Sequence, residues 1–219
     1  MKLVGFGCSF TYGSELLDPN LDNWDRHHEN NSYRLSNCWL GKLAQRLDAD
    51  SDNLAQPACS NYAISQIFYD WISKRDPNTE YTVCVAWTAT DRMSWWDNGW
   101  IHDGFIRNEQ EQRFKASFRD WLTYADRNTH ITLQAKMFVN SVCLAQDIPV
   151  IQFDALDNIN KINYPNFHMQ GTSMQECLKN EGQRLNKNFF ASGGHPNEQG
   201  HEYYVELMWE WIKGRKVVQ

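Results

Sequence analysis

The stretch VGFGCSFTYG, residues 4–13, decides how the rest of the chain is read. Residues 2–6 are too continuously apolar to have a solvent face, which is the pattern of a strand buried on both sides. The run stops at Gly7, and a second glycine, Gly13, closes the segment. Ser9 lies between them, at the point where a strand would turn into a helix. It is either a nucleophile presented at a strand end or a hydroxyl that caps the next helix.

Two further runs resemble the first: YTVCVAW (81–87) and IPVIQF (148–153), with a shorter candidate in DNLA (52–55). Helical spacing separates them. Trp39, Leu40, Leu43, Ala44 and Leu47 form one stripe behind Ser36 as cap, and Ile64, Ile67, Phe68, Trp71 and Ile72 form another with Asn61 as cap. Two helices are expected over 109–147, the second carrying Ile131, Ala135, Phe138, Val142 and Ala145 on one face. Pro196 suits a first helical turn, ahead of a stripe of Tyr204, Leu207, Met208, Trp211 and Ile212. Strands separated by helices need crossover connections, so an α/β fold follows, with a mainly parallel central sheet covered by helices on both faces. Ligands of such sheets sit beyond the carboxyl ends of the strands. Ser9, the loop from 88 and the loop after 153 all emerge there.

Bulk properties bound the function. The 219 residues suit a single domain spanning 1–219, and 42% hydrophobic residues supply a core. A net charge of −6 gives no footprint for nucleic acid. No stretch reaches the ~18 apolar residues of a membrane span, and the N-terminus does not read as a signal peptide. A cytoplasmic location is the simplest expectation, although a viral or particle-associated product would read the same. The six cysteines show no zinc spacing and fall in apolar runs, as buried thiols do. His27-His28-Glu29 has no further ligand at a telling spacing, so no metal site is expected there.

A serine nucleophile needs a base. Of seven histidines, His195 stands out, because SGGHPNEQGH (192–201) puts it after two glycines and before a proline. The residue before proline is pushed out of the helical region, so His195 should lie on an extended edge with its ring free to point across the site. A capping or surface histidine is the competing reading.

Taken together, these segments resemble the SGNH (GDSL-type) hydrolases. GCSFTYG resembles their Gly-Asp-Ser turn, NLAQPACSN (53–61) the segment whose glycine amide helps to hold the oxyanion, WTATD (87–91) the Gly-x-Asn-Asp segment, and SGGHPNEQGH the Asp-x-x-His-Pro segment. Their order and spacing agree from residue 3 to about 212. The resemblance implies a three-layer α/β/α sandwich and hydrolysis of esters or thioesters without a cofactor. Carried over, Ser9 is the nucleophile and one oxyanion donor, Ala58 supplies the second amide, and His195 is the general base.

This sequence departs from the pattern at three places. Cys8 replaces the first aspartate, Ser192 stands where the carboxylate before the histidine would be, and Thr90 or Ala89 replaces the asparagine. Losing the orienting carboxylate of a serine triad costs on the order of 10⁴ in turnover. A backbone carbonyl, Ser192 or Asp154 is open as the group that orients His195, and Thr90 or Asn61 as the missing donor. Trp87, Trp95, Trp96, Arg92 and Asn61 are candidate substrate contacts, the tryptophans as apolar platforms for a sugar ring or acyl chain. Each has a plainer reading: a small satellite core for the tryptophans, and a salt bridge or helix cap for Asp91-Arg92. His201 reads as a surface or capping residue, and Glu202, Glu206 and Glu210 as a polar stripe.

The expectation is a serine ester hydrolase, of the kind that includes carbohydrate O-deacetylases and short-chain acyl esterases, acting on a small-molecule or carbohydrate ester. The alternative is a binding or structural domain, for a glycan or protein partner, that keeps the fold without turnover.

Overall fold

A computed structural model of the chain describes residues 1–20, 31–96, 100–102, 125–156 and 172–214, the side chains at 95–96, 100–102 and 125–126 excepted. Its central sheet has four parallel strands in the order β2-β1-β3-β6. These are β1 (Lys2–Gly7), β2 (Asp50–Asn53), β3 (Tyr81–Trp87) and β6 (Val150–Asp154). A short antiparallel pair, β4 (Ser94–Trp96) and β5 (Trp100–His102), follows β3. The helices are α1 (Ser9–Tyr12), α2 (Asn31–Asn37), α3 (Trp39–Arg46), α4 (Asn61–Ile72), α5 (Ala125–Ala145), α6 (Met174–Leu185) and α7 (Glu198–Gly214).

Both central strands send successive side chains to opposite faces, as the pleat requires. Leu3 of β1 and Cys84 and Ala86 of β3 join a core with α3, α6 and α7. Val4 and Phe6, with Val83, Val85 and Trp87, join a second core with α4 and α5. Two apolar layers on one sheet make the chain a three-layer α/β/α sandwich. β2 borders the sheet with a polar sequence, and its Asp52 pairs with Lys2 at 2.8 Å. All six cysteines are free and buried.

Several helix starts differ from the expected ones. Ser36 lies inside α2, its hydroxyl donating to the Ser32 carbonyl at 2.8 Å. The cap of α3 is Cys38, whose side chain makes no capping bond. The open Trp39 N–H is instead taken by His201 Nδ1 at 3.1 Å. Ser60 rather than Asn61 caps α4, accepting from Ala63 N. Pro196 precedes α7 instead of opening it, and Asn197 Oδ1 accepts from Gly200 N at 2.9 Å. On α5 the buried line runs through Thr132, Ala135, Lys136, Val139 and Cys143, while Ala145 is exposed. The first of the two helices expected over 109–147 and the pair His27-His28 lie outside the described residues. No described helix is long and apolar enough to cross a membrane. Among the described residues no cluster of His, Cys, Asp or Glu is arranged to hold a metal ion.

Of the two readings of His201 the capping one holds and the surface one does not: the residue is fully buried, and among the described residues its Nε2 has no hydrogen-bond partner. Capping α3 requires a lone pair on Nδ1, so the ring is neutral with its proton on Nε2. Burial, then the charges of Lys42 and His195, hold its pKa down to about 3. The unfolded chain protonates this residue near its ordinary value, so its contribution to stability is complete above pH 6.5 and is lost as pH falls towards 3. The urea midpoint should therefore drop between pH 6.5 and 4, with a slope of up to about 1.4 kcal/mol per pH unit from this group. His201→Gln, which keeps an acceptor that does not titrate, should flatten that slope. An unchanged slope would show that the ring is not held neutral.

Candidate active site

Ser9 opens α1 directly after β1, at the carboxyl edge of the sheet, and is 4% exposed. The chain must turn abruptly there. A Cβ on Gly7 would stand 2.3 Å from Thr11 Oγ1 and 2.9 Å from the Ala86 carbonyl, so only glycine lets the strand end approach both. As the first residue of α1, Ser9 carries one of the N–H groups that lack an intrahelical acceptor.

The chain leaving β2 stays beside this turn. Leu54 N donates to the Gly5 carbonyl at 2.9 Å and Gln56 N to the Gly7 carbonyl at 3.1 Å. Asn53 Nδ2 donates to the Thr11 carbonyl at 2.7 Å. These bonds carry the segment to Ala58, which stands next to the serine turn with φ 61°. That left-handed conformation suits glycine, and a Cβ costs roughly 1 kcal/mol there. Ala58 thus has the backbone conformation that glycine adopts most readily, with a Cβ in it.

His195 lies on the loop between α6 and α7. Ala191 N donates to its carbonyl at 2.8 Å, and the following Pro196 bridges Phe190; His195 itself lies in a bend before that bridge. Its ring lies edge-on to Phe10, with centroids 6.0 Å apart. Its Nδ1 is 2.6 Å from Glu15 Oε2. Glu15 also accepts from Gly193 N at 2.7 Å and from His195 N at 3.2 Å. Burial works against ionisation of Glu15, but the bonds from His195 and Gly193 outweigh it and hold the carboxyl below its usual value. An ionised Glu15 accepts the Nδ1 proton and leaves Nε2 as the acceptor on the far side of the ring.

Glu15 is the residue that reading the sequence misses. It is six positions after Ser9 and 180 before His195, and no family motif marks it. The available signal is the turn itself. Gly13 ends α1 at φ 82°, and Glu15 is left-handed at φ 67°. A carboxylate in such a strained turn, just after a serine at a strand end, is aimed at something. The Gly-Gly pair is the matching half, because a Cβ on Gly193 would lie 2.6 Å from Glu15 Oε2.

Other candidates go elsewhere. Ser192 is exposed, and Asp154 is buried in an ion pair with Lys136 of α5, so neither is the carboxylate or hydroxyl at His195. Trp87 is fully buried and donates to Gln152 Oε1 at 2.9 Å, which makes it core rather than a platform for substrate. Asn61 is spent as a brace. Its Oδ1 accepts from Thr88 N at 2.8 Å, and its Nδ2 donates to the Thr88 carbonyl and to Thr132 Oγ1, both at 3.0 Å. Thr90 and Arg92 line a cavity between α4 and α5. Trp95 and Trp96 are in β4, their side chains outside the described ones. Cys8 is buried, and burial pushes the Cys59 thiol up, so Cys59 is not a thiolate.

Two substitutions test this geometry. Ala58→Gly should raise the melting temperature by about 2–4 °C, the equivalent of ~1 kcal/mol in a chain of this size. Gly193→Ala should displace the Glu15 carboxylate, removing the downfield Nδ1 proton of His195 from the NMR spectrum while the fold persists. Retention of that resonance would place the carboxylate elsewhere.

No protein-family model matches the sequence, and no curated protein matches it. Solved structures do. One is a carbohydrate esterase whose active site is described as displaying divergent catalytic and non-catalytic binding functions, at 10% identity and TM-score 0.57, covering 99% of this chain and 65% of that one. Another is the acetyl xylan esterase Est2A of the rumen bacterium Butyrivibrio proteoclasticus, at 12% identity and TM-score 0.53, covering 98% and 64%. A third is a carbohydrate esterase family 2 enzyme with a carbohydrate-binding domain from Corynascus thermopiles (Myceliophthora fergusii), at 15% identity and TM-score 0.50, covering 97% and 65%. The chain spans just under two thirds of the length of each. With the parallel sheet, the strand-end serine and the layer arrangement, these likenesses give the chain the α/β/α fold of the SGNH (GDSL-type) hydrolases.

Proposed function

We propose that the chain is a serine ester hydrolase acting on carbohydrate or short-chain acyl esters, with Ser9, His195 and Glu15 as its working groups. The observation that carries this reading is the 2.6 Å contact between His195 Nδ1 and Glu15 Oε2. The carboxylate that the sequence lacks before the histidine is supplied from the serine's own side of the site. The esterase activities named for the structural neighbours support the same reaction class, and those that act on carbohydrate esters support that substrate class.

In this mechanism Ser9 Oγ attacks the acyl carbon as His195 Nε2 takes its proton. The imidazolium that forms is stabilised by Glu15, which also fixes the tautomer. The Ser9 and Ala58 amides hold the oxyanion, and Thr90 is the side chain nearest in sequence to the place of the missing asparagine. Collapse of the tetrahedral intermediate breaks the bond to the alcohol, which leaves with the proton from His195. Water, deprotonated by the same nitrogen, then releases the acid and restores Ser9. The short contacts of the transition state are made when substrate is bound.

Hydrolysis of short-chain nitrophenyl esters and of acetylated xylo-oligosaccharides tests the reading, with fluorophosphonate labelling alongside. Ser9→Ala and His195→Ala should remove turnover and labelling. Glu15→Gln should lower kcat by about 10²–10⁴ with little change in KM, since it acts through the imidazole. Wild-type turnover no faster than Ser9→Ala, with no label on Ser9, would favour a domain that binds without catalysing.

A further inference from the structure

A cavity of about 500 Å³ lies between α4 and α5, walled also by the segment Thr90–Ser94 that follows β3. Ser60, Thr90, Arg92, Ser94 and Thr132 give it polar walls, and Met93, Ile131 and Phe138 give it apolar ones. Among its described lining residues are two arginines, Arg92 and Arg127, and no acidic side chain. The volume and the mixed lining are those of a small-ligand site.

Arg92 is the informative residue. Its Nη1 is buried and has no hydrogen-bond partner among the described residues. The adjacent Asp91 is exposed, and no ion pair joins it to Arg92 among the described contacts. A buried, unsatisfied cationic donor is costly, and such groups are kept where something else supplies the counter-charge. The planar fork of an arginine matches a carboxylate.

The cavity is also connected to the reaction site. Its wall residue Ser60 follows Ala58 and Cys59 directly, and Ser60 N donates to Ser94 Oγ, another wall residue, at 3.0 Å. Cys59 lies close enough to feel both Arg92 and Cys8, the residue before Ser9. The segment 58–60 thus runs from the proposed oxyanion amide into the cavity wall.

We infer that Arg92 binds a carboxylate of the substrate, so that the preferred ester is carried by an acidic molecule such as a uronic-acid-type sugar, with the ring lying against the apolar wall. This inference rests on the hydrolase reading. The test compares 4-acetoxybenzoate with the neutral 4-acetoxybenzamide, in wild type, Arg92→Gln and Arg92→Lys, with titration calorimetry of benzoate and benzamide on the same proteins. Wild type should favour the anionic ester in kcat/KM by about tenfold, the worth of one charge-assisted hydrogen bond. The preference should appear in KM, vanish in Arg92→Gln and partly return in Arg92→Lys, and benzoate binding should follow it. Thermal melts would confirm that the variants are folded. Turnover of both esters with no preference, or one that survives Arg92→Gln, would overturn the anion site and leave the hydrolase reading standing. No turnover of either ester, with benzoate binding that needs Arg92, would do the reverse. Neither turnover nor benzoate binding would overturn both.

Discussion

The carboxylate of Glu15 accepts three hydrogen bonds from one short loop: from Gly193 N, His195 N and His195 Nδ1. The loop enters between α6 and α7, far along the chain from the serine turn, and is otherwise open to solvent on one side. A charge with three donors is a strong tether, because each bond to an ionised acceptor is worth about twice a neutral one. The geometry of the site depends on it. It fixes the imidazole, sets its tautomer, and joins the first turn of the chain to the last loop.

The tether has structural costs. Glu15 takes a left-handed backbone that a carboxylate residue seldom adopts, and Gly193 gives up its side chain so that the two oxygens fit. Ala58 is similarly left-handed beside Ser9, held there by the bonds that Leu54 and Gln56 make to β1. Left-handed non-glycine backbone also occurs at Asp48, Asp147 and Asn186, where helices end.

Around that site, polar side chains that might have met a ligand instead hold loops in place. Asn61 joins the end of β3 to α4 and α5, leaving no amide atom to spare. Asp154 and Lys136 neutralise each other in the interior, which a lone buried charge could not do. Arg92 differs from both. It lines a cavity, with its buried Nη1 unpaired among the described residues.

The strands, the main helical stripes, the position of Ser9 at a strand end and the place of His195 outside the last helix were legible in the sequence, because periodicity, glycine and proline act over a few residues. The same local signals made an α/β fold with ligands at the strand ends the natural expectation. What they could not reveal was which distant groups meet. Glu15 reaches His195 across 180 positions, His201 caps a helix that starts 162 positions earlier, and Asp154 finds Lys136 instead of a histidine. Trp87 read as a ligand platform, yet it closes a core layer, since only the packing of α4 and α5 on β3 decides which of its faces is covered. Local conformation is set by each residue and its near neighbours; the pairing of charges and the burial of rings are set by the sheet order, which no short stretch of chain contains.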